Sequence, residues 1–162
     1  MLRVLDIVAG TAVDGPGLRT AIYFAGCTHR CPGCHNPESW DVNGGRNLEY
    51  ADILKTIDEN GFNVTFTGGD PLAQLPALIP LAKKIFERGF TIWLYTGFTF
   101  EEAIRLERFY ELSPYIEVMV DGTFQERLRD TSLQFRGSTN QRLIEVKPTL
   151  ETGEIKLWAD QF

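Results

Sequence analysis

The sequence predicts an α/β fold whose sheet is mostly parallel, and two observations support this. Four short apolar runs rich in strand-forming residues alternate with segments whose apolar residues recur at helical spacing. A loop with glycine follows each run. Such alternation is typical of right-handed βαβ units, in which the strands lie parallel. The 162 residues contain no repeat, low-complexity tract or linker, so we expect one domain over residues 1–162.

The predicted strands are short and rich in β-branched and aromatic residues. The four clearest runs are residues 20–24, 63–67, 91–95 and 116–120. Two weaker runs, residues 143–146 and 155–158, are expected to pair as strands around a turn at residues 151–153.

Three amphipathic helices are predicted between and after these strands. The first covers residues 49–59, with its apolar residues on one face and Gly61 after its end. The second covers residues 78–88. The third begins at a capping box at Thr99 and continues to about residue 111.

The loops after the four predicted strands contain the residues with the most distinctive chemistry. They include Gly26 and Cys27, then Gly68, Gly69 and Asp70, then Gly97, and finally Asp121 and Gly122. The carboxyl ends of parallel strands emerge at one edge of a sheet, and ligands bind at that edge. We therefore expect the cysteine-containing loop and the Gly-Gly-Asp loop to meet in space.

Composition and charge exclude several classes of function. The net charge is −6, from 22 acidic and 16 basic residues, which argues against a broad contact with a nucleic acid backbone. No apolar run approaches the roughly 18 residues of a membrane span, and the N-terminus lacks the apolar region of a signal peptide. We therefore expect a cytoplasmic protein that binds neither membranes nor nucleic acid.

The three cysteines lie close together, as Cys27, Cys31 and Cys34 in a C-x3-C-x2-C pattern. An odd number of clustered cysteines indicates a metal or redox loop rather than a disulfide framework. Three thiols packed as small hydrophobic groups are a poor alternative, because this loop is polar and contains Pro32 and Gly33. Iron–sulfur clusters usually have four cysteine ligands, so three cysteines would leave one iron open for another ligand.

Three other kinds of site match part of this loop. The last two cysteines and His35 match C-x-x-C-H, the attachment motif of c-type haem, but leave Cys27 unexplained. Structural zinc bound with His29 or His35 would take every ligand from one short loop, whereas such sites usually take pairs from two segments. A thiol–disulfide pair of Cys31 and Cys34 leaves the third cysteine and the Gly-Gly-Asp loop without a role.

The cysteine loop and several other segments resemble a known family. The C-x3-C-x2-C pattern resembles the cluster-binding motif of radical S-adenosylmethionine (SAM) enzymes. The Gly-Gly-Asp loop resembles their "GGE" element, with Asp in this chain in place of Glu. Within that group, the chain resembles the anaerobic ribonucleotide reductase activating enzymes. The segments that carry this resemblance are residues 13–19 (VDGPGLR), 26–34, 36–40 (NPESW), 93–97 (WLYTG), 120–122 (VDG) and 135–142 (FRGSTNQR).

The resemblance implies the cofactors and the reaction. Cys27, Cys31 and Cys34 would hold a [4Fe–4S] cluster, and the amine and carboxylate of SAM would complete its open iron. The residues expected to bind SAM are Gly33, Cys34, His35, Gly68, Gly69 and Asp70. Reduction would cleave SAM to methionine and a 5′-deoxyadenosyl radical, which would take a hydrogen from a backbone glycine of the reductase. No catalytic residue beyond the cluster is expected.

The resemblance also implies the partners and the shape. The partners would be the large subunit of the anaerobic ribonucleotide reductase and a low-potential electron donor such as flavodoxin. A full (β/α)8 barrel takes about 250 residues, so the implied fold is a partial, laterally open (β/α) barrel of the radical SAM type. An open side would admit a glycine loop of the partner.

Some alternatives stay open. The chain is also compatible with a radical SAM enzyme acting on a small molecule or a different glycyl-radical enzyme, and with a non-enzymatic zinc or iron–sulfur binding module. Asp121 either approaches the SAM pocket or caps a helix or turn. The residues that either bind an anion or the partner, or lie on a solvated face, are Arg136, Asn140 and Arg142. His29 and residues 143–162 have no assigned role.

Overall fold

The computed structural model describes residues 1–34 and 37–159 of the chain. The strands in this part are β1 (Leu2–Thr11), β2 (Arg19–Phe24), β3 (Arg46–Leu48), β4 (Asn63–Gly68), β5 (Ile92–Tyr95), β6 (Val118–Asp121) and β7 (Arg142–Glu145). They form one sheet in the order β3-β1-β2-β4-β5-β6-β7. The four strands predicted most clearly, β2, β4, β5 and β6, pair in parallel, which confirms the α/β class.

The prediction of a mostly parallel sheet is wrong, because the edges are antiparallel. Among the described residues, three pairings are parallel, and β1–β2, β1–β3 and β6–β7 are antiparallel. Residues 12–18 connect β1 to β2 and are too few for the crossover of a dozen or more residues that a parallel pair needs. β7 starts beside the end of β6, where Arg142 pairs with Asp121, and therefore runs in the opposite direction.

The described sheet is open, since its outer strands β3 and β7 lie at opposite ends of the strand order. Neither β1 nor β3 is predicted from the sequence. Only the first residues of β1 alternate between buried and partly exposed, and β3 is 3 residues long. Both strands form because their neighbours in the sheet supply the pairing.

The described helices are α1 (Tyr50–Asn60), α2 (Leu75–Glu87), α3 (Phe100–Ala103), α4 (Phe109–Leu112) and α5 (Val146–Thr152). α1 and α2 confirm two predicted helices, and α2 starts earlier than predicted. The third predicted helix is divided into α3 and α4 by turns at residues 104–108, the last of which, Arg108, adopts a left-handed backbone conformation (φ 69°). The capping box at Thr99 is confirmed. The predicted C-terminal strand pair is reduced to one bridge, between Ile144 and Leu157, and α5 replaces the turn.

The helices cover one face of the sheet, and alternate strand residues separate the two faces. In β5, Ile92 and Leu94 belong to the main core with residues of α1 and α2, whereas Trp93 belongs to a second, smaller cluster on the other face. Phe135 and Trp158 pack edge-on against Trp93 in that second cluster. None of the described helices has the length and apolarity needed to cross a membrane.

Candidate functional site

A cavity of about 630 Å³ lies at the carboxyl edge of the parallel strands. Small-molecule and cofactor sites have volumes in this range. The loops that follow β2, β4, β5 and β6 all contribute to its wall, as expected for this edge of an α/β sheet. The lining from these loops includes Cys27, Cys31, Cys34, Gly68, Gly69, Thr96, Gly97 and Gly122.

The three predicted cluster ligands line this cavity and are partly exposed. Burial raises the pKa of the Cys27 and Cys31 thiols above the ordinary value. Backbone N–H donors of His29 and Arg30 near Cys27, and of Phe124 near Cys31, lower the pKa of these thiols against the effect of burial. These donors would stabilise the thiolates that form when a metal displaces the thiol protons.

The cysteine loop and the Gly-Gly-Asp loop meet, as predicted. The Asp70 N–H donates to the Gly26 carbonyl (2.7 Å), and the Gly69 N–H donates to the Phe24 carbonyl (2.8 Å). The two backbones approach so closely that a Cβ on Gly69 would lie 2.4 Å from the Gly26 oxygen. Position 69 therefore requires glycine for steric reasons.

The Asp70 carboxylate lies behind the cavity wall. Its side chain is 2% exposed, and its oxygens accept hydrogen bonds from the protein. The donors are the Leu72 N–H (3.0 Å), the Thr96 hydroxyl (2.8 Å), the Gly97 N–H (3.0 Å) and His29 Nε2 (2.7 Å). These bonds use the acceptor capacity of both carboxylate oxygens.

His29 connects the loops that follow β2, β4 and β5. Its hydrogen bond to Asp70 raises the pKa of the imidazole. The ring packs edge-on against Phe98, with centroids 4.7 Å apart. It also lies over Gly97, where a Cβ would be 2.4 Å from His29 Cδ2. In the sequence, the only indication of this role is the position of His29 between two cysteines.

The residues expected to bind SAM are only partly brought together. Cys34, Gly68 and Gly69 line the cavity. Gly33 is exposed, and a Cβ there would lie 3.0 Å from Glu126 Cδ. His35 lies outside the described residues.

A polar cluster on another part of the cavity wall has no role assigned from the sequence. Asp14, Tyr23 and Tyr95 line the cavity, and the Tyr23 hydroxyl donates to Asp14 Oδ2 (3.3 Å). Burial raises the pKa of all three groups, that of Tyr23 to about 12. The buried Arg19 donates to Thr65 Oγ1 (2.9 Å). The sequence signal for the two tyrosines is the alternation of side chains in β2 and β5. It places Tyr23 and Tyr95 on the face of the sheet opposite the helices.

The FRGSTNQR motif forms an internally bonded loop against the cavity. The Gln141 side chain donates to the Gly122 carbonyl (3.0 Å), and Arg136 donates to the Gln141 carbonyl (2.5 Å). Both Arg136 and Gln141 line the cavity. Phe135 has a left-handed backbone (φ 63°), and its carbonyl accepts a hydrogen bond from the Tyr95 hydroxyl (2.6 Å). The motif therefore builds a wall of the site.

Asp121, Asn140 and Arg142 have structural partners outside the cavity lining. Asp121 is 1% exposed and accepts from the Phe100 N–H (2.8 Å) at the start of α3 and from Arg142 Nη2 (2.6 Å). Arg142 Nη2 also lies 2.7 Å from Glu101. Asn140 donates to a backbone carbonyl of the loop after β6 (2.8 Å). The structure therefore supports the interpretation in which Asp121 caps a helix, and not the one in which it approaches the SAM pocket.

The donor set fits a cluster held by three thiolates. The three cysteines line one cavity, and backbone N–H groups that lower the thiol pKa lie near two of them. Hydrogen bonds to sulfur are among the features that tune iron–sulfur clusters. In residues 1–34 and 37–159, no three His, Cys, Asp or Glu side chains converge to hold a single metal ion.

Comparison with known proteins identifies similar sequences over most of the chain. Residues 13–144 match the model of a 4Fe-4S single cluster domain. Three similar proteins are named anaerobic ribonucleoside-triphosphate reductase-activating protein. The one from Pasteurella multocida (strain Pm70) is 37% identical over 141 residues, covering 80% of this chain and 88% of its own length. The one from Escherichia coli (strain K12) is 34% identical, covering 80% of this chain and 89% of its own length. The one from Enterobacteria phage T4 is 35% identical, covering 81% of this chain and 86% of its own length.

Proposed function

Because the chain belongs to the family of anaerobic ribonucleoside-triphosphate reductase-activating proteins and contains a 4Fe-4S domain, we propose that it is a radical SAM enzyme that forms a glycyl radical on anaerobic ribonucleotide reductase. One observation carries the proposal. Three cysteines and the loop of Gly68 and Gly69 line the same cavity at the carboxyl edge of the parallel strands. Metal ligands and a loop with exposed backbone groups thus meet where one small ligand would contact both.

Cys27, Cys31 and Cys34 would hold a [4Fe–4S] cluster with one iron open to SAM. A reduced cluster held there would supply the electron that cleaves SAM to methionine and a 5′-deoxyadenosyl radical, and this radical would take a hydrogen from a glycine of the reductase. The protein's own contribution is to hold three thiolates, direct N–H groups at them and orient SAM.

Gly68 and Gly69 would receive the methionine end of SAM. Both line the cavity, and because neither has a Cβ, their loop can lie directly against the backbone of Phe24 and Gly26. We place Asp70 behind them, where its satisfied carboxylate supports the loop. The backbone groups of Gly33 and His35 are the proposed neighbours of the adenine, and Cys34 stays a proposed SAM-binding residue.

The partner's glycine would enter from the face of the sheet that the helices leave uncovered. The sheet is open in the described residues, and Tyr95 and Phe135 lie on that face beside the cavity. We propose a partial, laterally open barrel of the radical SAM type in one domain over residues 1–162. It would work in the cytoplasm with a low-potential donor such as flavodoxin, and without nucleic acid.

Anaerobic reconstitution tests this function. The chain is loaded with iron and sulfide, reduced, and assayed for methionine and 5′-deoxyadenosine. It is then mixed with the reductase large subunit for electron paramagnetic resonance. We expect SAM cleavage and a glycyl radical signal on the reductase. Cys27→Ala, Cys31→Ala and Cys34→Ala should abolish both, whereas Lys55→Ala, on the exposed face of α1, should change neither.

Two results would contradict the proposal in different ways. Stoichiometric zinc without visible absorption would indicate a non-enzymatic metal-binding module. SAM cleavage without a radical on the reductase would indicate a small molecule or another glycyl-radical enzyme as the substrate.

A further inference from the structure

His29 is the point where three of the loops around the cavity are joined. It lies in the cysteine loop, its Nε2 is 2.7 Å from Oδ2 of Asp70 in the Gly-Gly-Asp loop, and its ring covers Gly97 after β5. The His29 side chain is 14% exposed. It therefore lies largely inside the protein, where a hydrogen bond to a carboxylate is stronger than in water.

The geometry around His29 leaves little freedom for its ring. Phe98 packs against it edge-on, and the Gly97 backbone lies too close for any side chain at position 97. Asp70 is held in turn by the Thr96 hydroxyl and the Gly97 N–H. The imidazole is thus fixed to the ends of β4 and β5, and the cysteine loop is fixed with it.

We propose that His29 is a positioning residue, which through Asp70 sets the place of the three cysteine sulfurs relative to Gly68 and Gly69. This inference rests on the proposed function, because the consequence of correct placement is simultaneous contact of SAM with the open iron and the glycine loop. It also assigns a role to the Asp of the Gly-Gly-Asp loop. The carboxylate acts on the cysteine loop from behind the cavity wall.

The test compares three variants of the reconstituted full chain. His29→Leu removes the donor, and His29→Gln keeps an N–H donor near the position of Nε2. Asp121→Asn is the matched control, because Asp121 is as buried as Asp70 but lies at the end of β6, two strands from β4, and its hydrogen-bond partners are Phe100 and Arg142. The measurements are KM and kcat for SAM cleavage, the rate of iron release to a chelator, and the electron paramagnetic resonance spectrum of the reduced cluster with and without SAM.

We expect His29→Leu to raise the KM for SAM and the rate of iron release by about tenfold each, the change expected on loss of one hydrogen bond to a charged group. It should also weaken the spectral change on SAM addition. His29→Gln should restore these values to within about threefold of wild type on the same basis. Asp121→Asn should lower the melting temperature and leave KM and iron release unchanged.

Hydrogen exchange of the metal-free chain gives a second measurement, independent of activity. His29→Leu should increase exchange in residues 27–34 and leave residues 116–121 unchanged. A uniform increase, or wild-type KM and iron release in His29→Leu, would overturn the positioning role while the proposed function stands. A wild-type chain that binds no cluster or cleaves no SAM would overturn the proposed function itself.

Discussion

Replacing Asp121 by asparagine should destabilise the chain by about 3 kcal/mol. Asp121 is 1% exposed, and its carboxylate accepts from the Phe100 N–H (2.8 Å), the Arg142 N–H (3.0 Å) and Arg142 Nη2 (2.6 Å). Asparagine has almost the same size but directs an NH2 group at part of this set of donors. Removing one partner of a fully buried ion pair costs about 3–5 kcal/mol. We use the lower end because the Arg142 side chain is 33% exposed and keeps Glu101 as a partner.

In a chain of 162 residues, 1 kcal/mol shifts the melting temperature by about 2–4 °C, so the expected fall is about 6–12 °C. Thermal and urea unfolding of the metal-free chain, followed by circular dichroism, measure it. Glu101→Gln is the control, since Glu101 is 55% exposed and its ion pair with Arg142 should contribute about 0–1 kcal/mol. Equal effects of the two substitutions, or a loss below about 1 kcal/mol for Asp121→Asn, would refute the assignment of the buried contact as the stabilising one.

Three further substitutions test the walls of the cavity. Gly69→Ala places a Cβ 2.4 Å from the Gly26 carbonyl, and should raise the KM for SAM in the reconstituted enzyme; an unchanged KM would show that the two loops separate freely. Burial raises the pKa of Asp14 in the folded chain above its ordinary 3.8, so the protonated carboxyl favours the folded state. This contribution to the free energy of unfolding is complete below pH 3.8 and is lost as the pH rises through the pKa of Asp14 in the folded chain. Asp14→Asn should therefore raise the melting temperature at pH 7 but give a smaller gain near pH 4; a pH-independent difference would contradict this. Tyr95→Phe removes the 2.6 Å hydrogen bond to the Phe135 carbonyl and should cost about 1 kcal/mol, with faster hydrogen exchange in residues 133–137; unchanged exchange there would show that the bond does not hold the loop.

The sequence predicts the parallel centre of the sheet well, because the relevant patterns are local. Each of the four central strands is a continuous run of residues that suit a strand buried on both faces. The capping box at Thr99 is also local, since its two hydrogen bonds join residues three apart. The break at Arg108 is harder to predict, because no glycine, asparagine or proline marks that position.

The edges of the sheet were not predictable in the same way. β3 is 3 residues long and has no pattern of its own, and its pairing depends on β1. The strand pair expected after residue 142 is reduced to a bridge at Ile144 and Leu157, because the segment between them folds into α5. Pairing at an edge depends on which neighbour is present, and that is a property of the assembled sheet.

For the site, the sequence by itself determined which loop holds the three cysteines and that this loop meets the Gly-Gly-Asp loop, because residue spacing and strand order suffice for both. Only the tertiary structure decided what Asp70 does. Its carboxylate binds His29, 41 positions away, and Thr96, 26 positions away. Such contacts depend on how far a side chain reaches within the folded chain. Asp70 is shorter by one methylene group than the glutamate that the resembled "GGE" element has at this position. That short reach is consistent with a carboxylate held behind the wall of the cavity.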